Sequence, residues 1–561
     1  MNEQSGGPLV YVPLGGAGEI GMNCYMYGLG DVAARRWIIV DLGIGFGDME
    51  TAPGVELVLP DMSFAVAERE RIDAIFVTHG HEDHIGGIPH VWPKLQVPVY
   101  ARPFTAELVR RKMQEAGLDP KAVREVQLGE RAQAGGFSVE FLNVTHSIPE
   151  ASMLTIRTAA GTAVHSGDFK LDPDPQIGEP FDMAPFEALG AEGVQAFACD
   201  STNVFLEGEA GSEAEVVDNL IRIIRAAPRA VAATSFASNV ARLRTLAMAA
   251  KAAGRSVVVA GRAMRRMIEV AVQTGQIKDF PQVVPDDRAG DIPDENLFYL
   301  VTGSQGEARA ALARIAAGSH PTVKLGEGDL VLFSSKTIPG NEAGIYRLYN
   351  RLSEQGIRVI DGDMERIHVS GHARRGDLKR LYTALKPRVA VPLHGEHRHL
   401  VEHATSALDW GAAHSVVAPN GAVARLDGNA PGVVEEVETG RVYLDGSAEV
   451  GSMDGVIRDR LRLARQGHMI VSVVVAEDGE LIADPEVRVH GLPDEVEGWA
   501  ETLEDAAADA VDEAMESAPR KQLRNNAGIE EAVGRAARRV AVKMVGKKPV
   551  LTVIIHRLED E

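Results

Sequence analysis

Residues 77–87 read VTHGHEDHIGG, and the six positions from His79 to His84 hold three histidines, a glutamate and an aspartate. His79 and His81 alternate across an extended or turning segment, and Asp83 and His84 sit just beyond them. One tight loop can therefore offer two imidazoles to one ion, and a carboxylate with a third imidazole to a neighbouring ion. Imidazole plus carboxylate suits zinc, or manganese where oxygen ligation dominates. Four ligands cannot fill two ions, so more must arrive from elsewhere. LNVTH ends on His146, AVHSGD on Asp168 and VAVPLH on His394. A lone histidine at a strand end is usually a satisfied structural residue. Four costly polar groups straight after a buried apolar run need a compensating ion.

That run, RIDAIFVT, reads as a core strand. RRWIIVDLG, VPVYARP, FSVEFLNVTH and QAFACDSTN read the same way, and most end in Gly, His or Asp. Such strands deliver polar side chains to one edge of a sheet. From Ser212 helical and strand-like segments alternate, which predicts a parallel α/β insert with helices on both faces. After Asp361 the strand-loop-helix style returns. Residues 431–454 are Gly-rich and acidic, as a linker would be, and a small α+β unit follows with MIVSVVVA and PVLTVIIHRL as strands. The expected division is therefore 1–210 and 361–430 for the metal domain, 211–360 for the insert, 431–454 for the linker and 455–561 for the C-terminal domain.

The 561 residues, 45% hydrophobic and 25% charged, suit several ordinary globular domains. No run approaches the ~18–20 apolar residues of a membrane span, and the first residues lack the basic and apolar regions of a secretory leader. Cys24 and Cys199 alone cannot make a disulfide framework; both are expected as packed core thiols in a cytoplasmic protein. The net charge of −22 argues against a general nucleic-acid coat. Part of it is local: residues 494–516 hold ten acids and no Lys or Arg, the pattern of a solvated helix face.

HGHEDH resembles the HxHxDH motif of the metallo-β-lactamase fold, a four-layered αββα sandwich with a binuclear site at one edge. The insert, with DSTN before it and HVSGHA and PLHGE after it, is similar to the β-CASP nucleases within that fold. PLGGAGEIGMN (13–23), VTGSQGE (301–307) and SSKTIPGNE (334–342) resemble the bacterial ribonuclease J family. HGHEDH alone specifies only the superfamily; the whole set, in this order and across nearly the whole chain, is highly specific. The implied fold class is α/β: a metallo-β-lactamase sandwich, an inserted parallel β-CASP domain and a small α+β C-terminal domain.

The resemblance implies that His79, His81 and His146 hold one ion, that Asp83, His84 and His394 hold the second, and that Asp168 bridges them. The cofactor is then two divalent ions, zinc with manganese as the alternative. Asp200 would orient a ligand histidine, and His372 would stand beside the scissile phosphate, so His372, Asp200 and Asp83 are the expected catalytic residues. The implied activity is a metal-dependent ribonuclease of RNA processing and decay, running 5′-to-3′ with preference for 5′-monophosphate RNA and some internal cleavage. The nucleophile would be metal-bound hydroxide. Single-stranded RNA is the expected partner, the protein a homodimer or homotetramer that meets other RNA-decay proteins, with no membrane contact.

A terminal phosphate needs its own receptor. TSFASN offers Ser235, Ser238 and Asn239, and the loop His368, Val369, Ser370, Gly371 and His372 offers imidazoles, a hydroxyl and N–H groups suited to an anion. Ser235, Ser238 and Asn239 also read as a helix cap before VARLRTLA, a role compatible with anion binding. Arg242, Arg244, Arg262, Arg265 and Arg266 read either as the basic lining of an RNA channel or as solvated helix faces. A DNA nuclease of the same superfamily and a non-catalytic RNA-binding scaffold are the alternatives.

Overall fold

The computed structural model describes residues 7–558. It divides into two compact units, one taking residues as far as Gly45 and then Leu59–Arg441, the other Phe46–Val58 and the chain from Val442 onwards.

The first unit contains an eight-stranded and a seven-stranded sheet. Leu9–Gly15, Cys24–Leu29, Arg36–Val40, Ile72–Phe76 and Val99–Ala101 lie consecutively in the former. Phe137–Asn143, Ser152–Thr158, Gly161–His165, Ala196–Asp200 and Val389–Leu393 lie consecutively in the latter. Strand periodicity sends alternate residues to opposite faces. Tyr11, Tyr25, Ile38 and Phe76 from one sheet pack with Phe141, Leu154, Ala198 and Val391 from the other. Val12, Met26, Ile39 and Ile75 on the opposite face pack with Ile88, Val91, Phe104 and Leu108, which lie on the helices Ile88–Leu95 and Pro103–Glu115. The far face of the second sheet, with Met153, Phe197 and Ala390, is covered by helices carrying Phe186, Leu381 and Ala407. These are the expected four layers, and burial on both faces explains why the strands read as continuous apolar runs.

Arg36–Val40 runs parallel to Ile72–Phe76, while Gly161–His165, Ala196–Asp200 and Val389–Leu393 run parallel to one another. Their carboxyl ends emerge carrying Asp41, Thr78–His84, Asp168, Asp200 and His394, where open α/β sheets place ligands. The loop after Val40 lies tightly on the HGHEDH turn: Leu42 N–H donates to the His84 carbonyl at 2.8 Å, and Asn23 N–H to the Asp83 carbonyl at 2.9 Å. Gly43 is required there, since a Cβ would fall 1.7 Å from the Asp83 oxygen.

The insert is an all-parallel six-stranded sheet. Ser256–Ala260, Leu297–Val301, Val231–Thr234, Leu330–Phe333 and Arg358–Ile360 follow one another across it, with Val283–Val284 at one edge. Separate apolar clusters fill its two faces, as the alternating pattern predicts. Residues 431–454 are not irregular: Gly432–Glu436 pairs with Ala422–Arg425, and Arg441–Asp445 forms a hairpin with Ala448–Gly451.

In the second unit His468–Val475 pairs antiparallel with Leu481–His490 and parallel with Val550–Arg557. Met469, Val471, Val473 and Val475 meet the helices Leu503–Ser517 and Asn526–Val545. Leu503, Ala507, Val511 and Met515 form the buried stripe of the acidic helix, leaving its carboxylates outward. Leu481–His490 escapes sequence reading because Val487 is its main apolar anchor among Asp484, Pro485, Glu486 and Arg488. Both cysteines are buried and unbridged. Among the described residues no helix is long and apolar enough to cross a membrane.

Candidate metal centre

Donor atoms of His79, His81, His146 and Asp168 lie within 4.8 Å of one another, and so do those of Asp83, His84, Asp168 and His394. Asp168 belongs to both groups. A third grouping joins Asp168 and His394 to Asp200 and His372.

Hydrogen bonds fix which ring nitrogens face the centre. Thr78 Oγ1 donates to Asp41 Oδ2 at 2.8 Å, so its 3.0 Å contact with His79 Nδ1 is an N–H donated by the imidazole. His146 Nδ1–H donates to the Gly371 carbonyl at 2.6 Å. Both Nε2 atoms therefore present lone pairs, and both face His81 Nδ1, at 3.0 and 3.2 Å. One hydrogen on His81 could serve one of them at most; a cation serves all three. His84 Nδ1–H donates to Asp41 Oδ2 at 2.7 Å, turning its Nε2 toward Asp168 Oδ2 at 3.2 Å. Asp168 Oδ1 and His394 Nε2 are buried without any hydrogen-bond partner. Buried polar atoms rarely stay unpaired, so the donor set fits two divalent ions sharing Asp168.

The electrostatics agree. Burial pulls His79 and His146 well below the usual imidazole value and His81 down to about 4, which keeps them neutral and able to ligate. Burial also opposes charge on His84 and His394, yet carboxylates led by Asp168 prevail, lifting His84 well up and His394 to about 10. The carboxylates thus draw positive charge onto the second group. Asp41 and His394 both hold left-handed backbone, at φ 60° and 49°, strain that non-glycine residues carry where surroundings enforce it.

Asp41, Asn23 and Tyr25 were not singled out by the sequence reading. Asn23 Nδ2 approaches Asp83 Oδ2 at 3.3 Å and His84 Nε2 at 3.0 Å, and Tyr25 O–H donates to Asn23 Oδ1 at 2.6 Å. Asp41 did carry a signal, as the polar end of the apolar run RRWIIVD. Asp41→Asn is expected to weaken metal binding about 10–100-fold, because carboxylates behind ligand histidines orient them and raise their basicity. Competition against a chelating dye measures this.

Of the residues expected to receive a terminal phosphate, Asn239, Val369, Ser370 and Gly371 line one cavity together with His146. Ser235 Oγ donates to the Ser334 carbonyl at 3.1 Å, and Asn239 Oδ1 caps the helix Val240–Ala252 by accepting from Arg242 N–H at 2.9 Å. Val369 is buried and Ser238 half-buried. Gly371 is held against the cluster: a Cβ there would lie 2.8 Å from His146 Cε1. Ser370 Oγ accepts from Asn203 Nδ2 at 2.9 Å. His372 Nδ1 lies 2.9 Å from Asp200 Oδ2, closer than the 3.4 Å between Asp200 and His394 Nδ1.

Four of the five arginines are paired with carboxylates. Arg242 is fully buried, paired with Glu213 at 2.6 Å and donating to the Ile367 carbonyl at 2.9 Å, with His368 Nδ1 at 3.2 Å. Arg244 pairs with Asp279, Arg265 with Asp286 and Arg266 with Glu115. The periodicity that placed them on helices said nothing of which face would be covered. Among the described residues, Arg262 alone of the five is exposed without such a partner.

Residues 36–194 match the model of the beta-lactamase superfamily domain, and residues 228–352 that of "Ribonuclease J, beta-CASP domain". Residues 356–415 match the Zn-dependent metallo-hydrolase RNA specificity domain, and 455–558 the ribonuclease J C-terminal domain. The fold is thus a metallo-β-lactamase domain with a β-CASP insertion and a C-terminal domain. A protein of Sinorhizobium meliloti named ribonuclease J is 43% identical over 98% of this chain and 97% of its own length. One of the same name from Thermus thermophilus is 36% identical, over 84% of each chain. A crystal structure of a protein of unknown function from Enterococcus faecalis V583 superposes with a TM-score of 0.50 at 16% identity, covering 78% of this chain and 100% of that one, a likeness of fold.

Proposed function

The chain belongs to the ribonuclease J family, and on that premise we propose that it is a metal-dependent ribonuclease acting 5′-to-3′ on 5′-monophosphorylated single-stranded RNA, with internal cleavage as a second mode. The observation that carries this reading is the pair of donor groups sharing Asp168, with His372 at their margin. His79, His81 and His146 would hold one ion, Asp83, His84 and His394 the other, and Asp168 both. Two such ions lower the pKa of water and neutralise phosphoryl charge. Zinc suits the imidazole-rich set, with manganese as the alternative.

The remaining steps fall to side chains. Asp200 Oδ1 accepts from Thr202 N–H at 2.8 Å and from Thr202 O–H at 2.7 Å, so the carboxylate is fixed. Its Oδ2 then holds His372 Nδ1–H, leaving Nε2 for substrate. Burial alone would lower His372, but Asp200 and Asp168 together raise it above the usual value. The protonated imidazole can stabilise charge on a phosphate oxygen, or pass its Nε2 proton to the departing 3′ oxygen. Its side chain is 23% exposed, against 2% for His394, which leaves it reachable by a strand. Family membership further supports a cytoplasmic homodimer or homotetramer working beside other RNA-decay proteins.

The test uses 5′-labelled single-stranded RNA with a monophosphate or triphosphate end, a matched DNA strand and His81→Ala as control. Early release of labelled mononucleotide from monophosphorylated RNA alone is expected. Internal fragments from both RNAs, or equal attack on DNA, would replace the reading with a broader endonuclease.

A further inference from the structure

The second unit sorts its charges onto two helices. Leu503–Ser517 carries Glu504, Asp505, Asp509, Asp512, Glu513 and Glu516 and no base. Asn526–Val545 carries Arg535, Arg538, Arg539 and Lys543, all exposed. The helices pack through Val511 and Val533, yet among the described residues no ion pair joins them. Arg535 to Lys543 follow helical spacing, so they share one stripe about 12 Å long. Lys547, just past the helix end, extends it and donates from Nζ to the Arg465 carbonyl at 3.4 Å. Arg535 has a carboxylate one turn back, Glu531; among the described residues Arg538 and Arg539 have none. Arg535, Arg539 and Lys543 stand at successive i,i+4 positions, where like charges destabilise a helix unless an anion lies over them. Cations in the last turn complement the helix dipole, which accounts for Lys543 but not for Arg538 and Arg539, about two turns further in. Lys543 Nζ lies 5.1 Å from the centre of the Trp499 ring, and that indole is 39% exposed.

We propose that Arg538, Arg539, Lys543 and Lys547, with Trp499, form an RNA-docking site on the C-terminal domain. It contains none of the metal donors and none of the residues expected to receive a terminal phosphate. Single-stranded nucleic acid is held by a cationic surface that follows its phosphates and by aromatic rings on which bases stack; here the two lie side by side. The carboxylates of Leu503–Ser517 repel a polyanion and so confine it to the basic helix. The inference rests on the ribonuclease reading for the identity of that polyanion. Phosphate contacts carry no sequence information, so the site adds affinity for a strand of any sequence. The competing occupant is the acidic helix of a second copy. RNA is favoured because an exposed indole among the cations has no task against a row of carboxylates.

The test is equilibrium binding of an unstructured single-stranded RNA by the full-length protein, in chelator so that nothing is cleaved, at several salt concentrations. Oligomer size is read by sedimentation in the same samples, and cleavage is followed in parallel with metal restored. The parent is compared with a neutral triple variant (Arg538→Gln, Arg539→Gln, Lys543→Gln), a charge-conserving one (Arg538→Lys, Arg539→Lys, Lys543→Arg) and Trp499→Ala. The neutral variant should bind about tenfold more weakly. Its salt slope should be shallower by about two, since a single strand contributes roughly 0.7 per neutralised phosphate. The charge-conserving variant should keep both affinity and slope, and Trp499→Ala should lose about tenfold in affinity with the slope kept. Melting temperatures of the triple variants should not fall, because no carboxylate loses its partner. Unchanged RNA binding by the neutral variant overturns the proposal. So does weaker binding that appears only together with a smaller oligomer, which would give the stripe to a second copy. Binding losses as expected, in a parent protein that cleaves no RNA, would retain the docking site and reject the nuclease reading instead.

Discussion

Asp168→Ala is expected to abolish RNA cleavage, lowering single-turnover rates by about four orders of magnitude or more, which corresponds to ~5 kcal/mol of transition-state stabilisation. His81 serves one donor group, whereas Asp168 serves both, with His84 Nε2 at 3.2 Å, His79 Nε2 at 3.7 Å and His146 Nε2 at 4.0 Å from its Oδ2. His394 Nδ1 lies 3.3 Å from its Oδ1. Removing it deprives both donor groups of their shared carboxylate. It should not unfold the chain, since Asp168 Oδ1 makes no hydrogen bond and Oδ2 meets His84 Nε2, itself a member of the centre, at 3.2 Å. Bound metal should therefore fall in the variant while circular dichroism and thermal melting stay close to those of the parent. Full metal content with full activity would remove Asp168 from the centre.

His372→Gln should separate proton handling from metal binding. General acid catalysis by a positioned imidazole contributes about 10²–10⁴-fold, so kcat should drop by that factor while KM and bound metal stay near parental values. Asp200→Asn should give a smaller loss of the same kind, because Asp200 acts through His372, at 2.9 Å, and only secondarily through His394, at 3.4 Å. If His372→Gln instead lost metal with kcat in proportion, His372 would be a ligand, the alternative that its grouping with Asp168, Asp200 and His394 embodies.

What the sequence discloses about this site is governed by range. HGHEDH is legible because its ligands sit on one turn, and His146, Asp168 and His394 because each ends an apolar run at a recognisable motif. Asp41 ends such a run too, but its partner His84 lies 43 residues away, and no local pattern announces the pairing. Asn23 works through Asp83, 60 residues distant, and is equally silent. Local chemistry also explains the helix cap: Asn239 needs only the N–H three residues on. Arg242 shows the converse limit. The helix Val240–Ala252 is buried on nearly every side, including Arg242, Leu243, Leu246 and Ala250, so a charged residue in a helical pattern was read as surface when it ties Glu213 to the loop before His368. The four-layer core and the parallel insert were legible because long apolar runs alternate with amphipathic helices. The strand Leu481–His490 and the paired strands within residues 431–454 were hidden by polar, exposed side chains whose pairing comes from their neighbours.

The central claim is that two divalent ions held by this histidine and aspartate set carry out RNA hydrolysis. Its most direct test strips the full-length protein with chelator, restores zinc or manganese stepwise, and measures bound metal and release of 5′-nucleotide in the same samples. The account predicts negligible cleavage in stripped protein, with recovery as occupancy approaches two ions per chain, and no recovery for Asp168→Ala at any metal concentration. Undiminished cleavage by protein shown to hold no metal would contradict it.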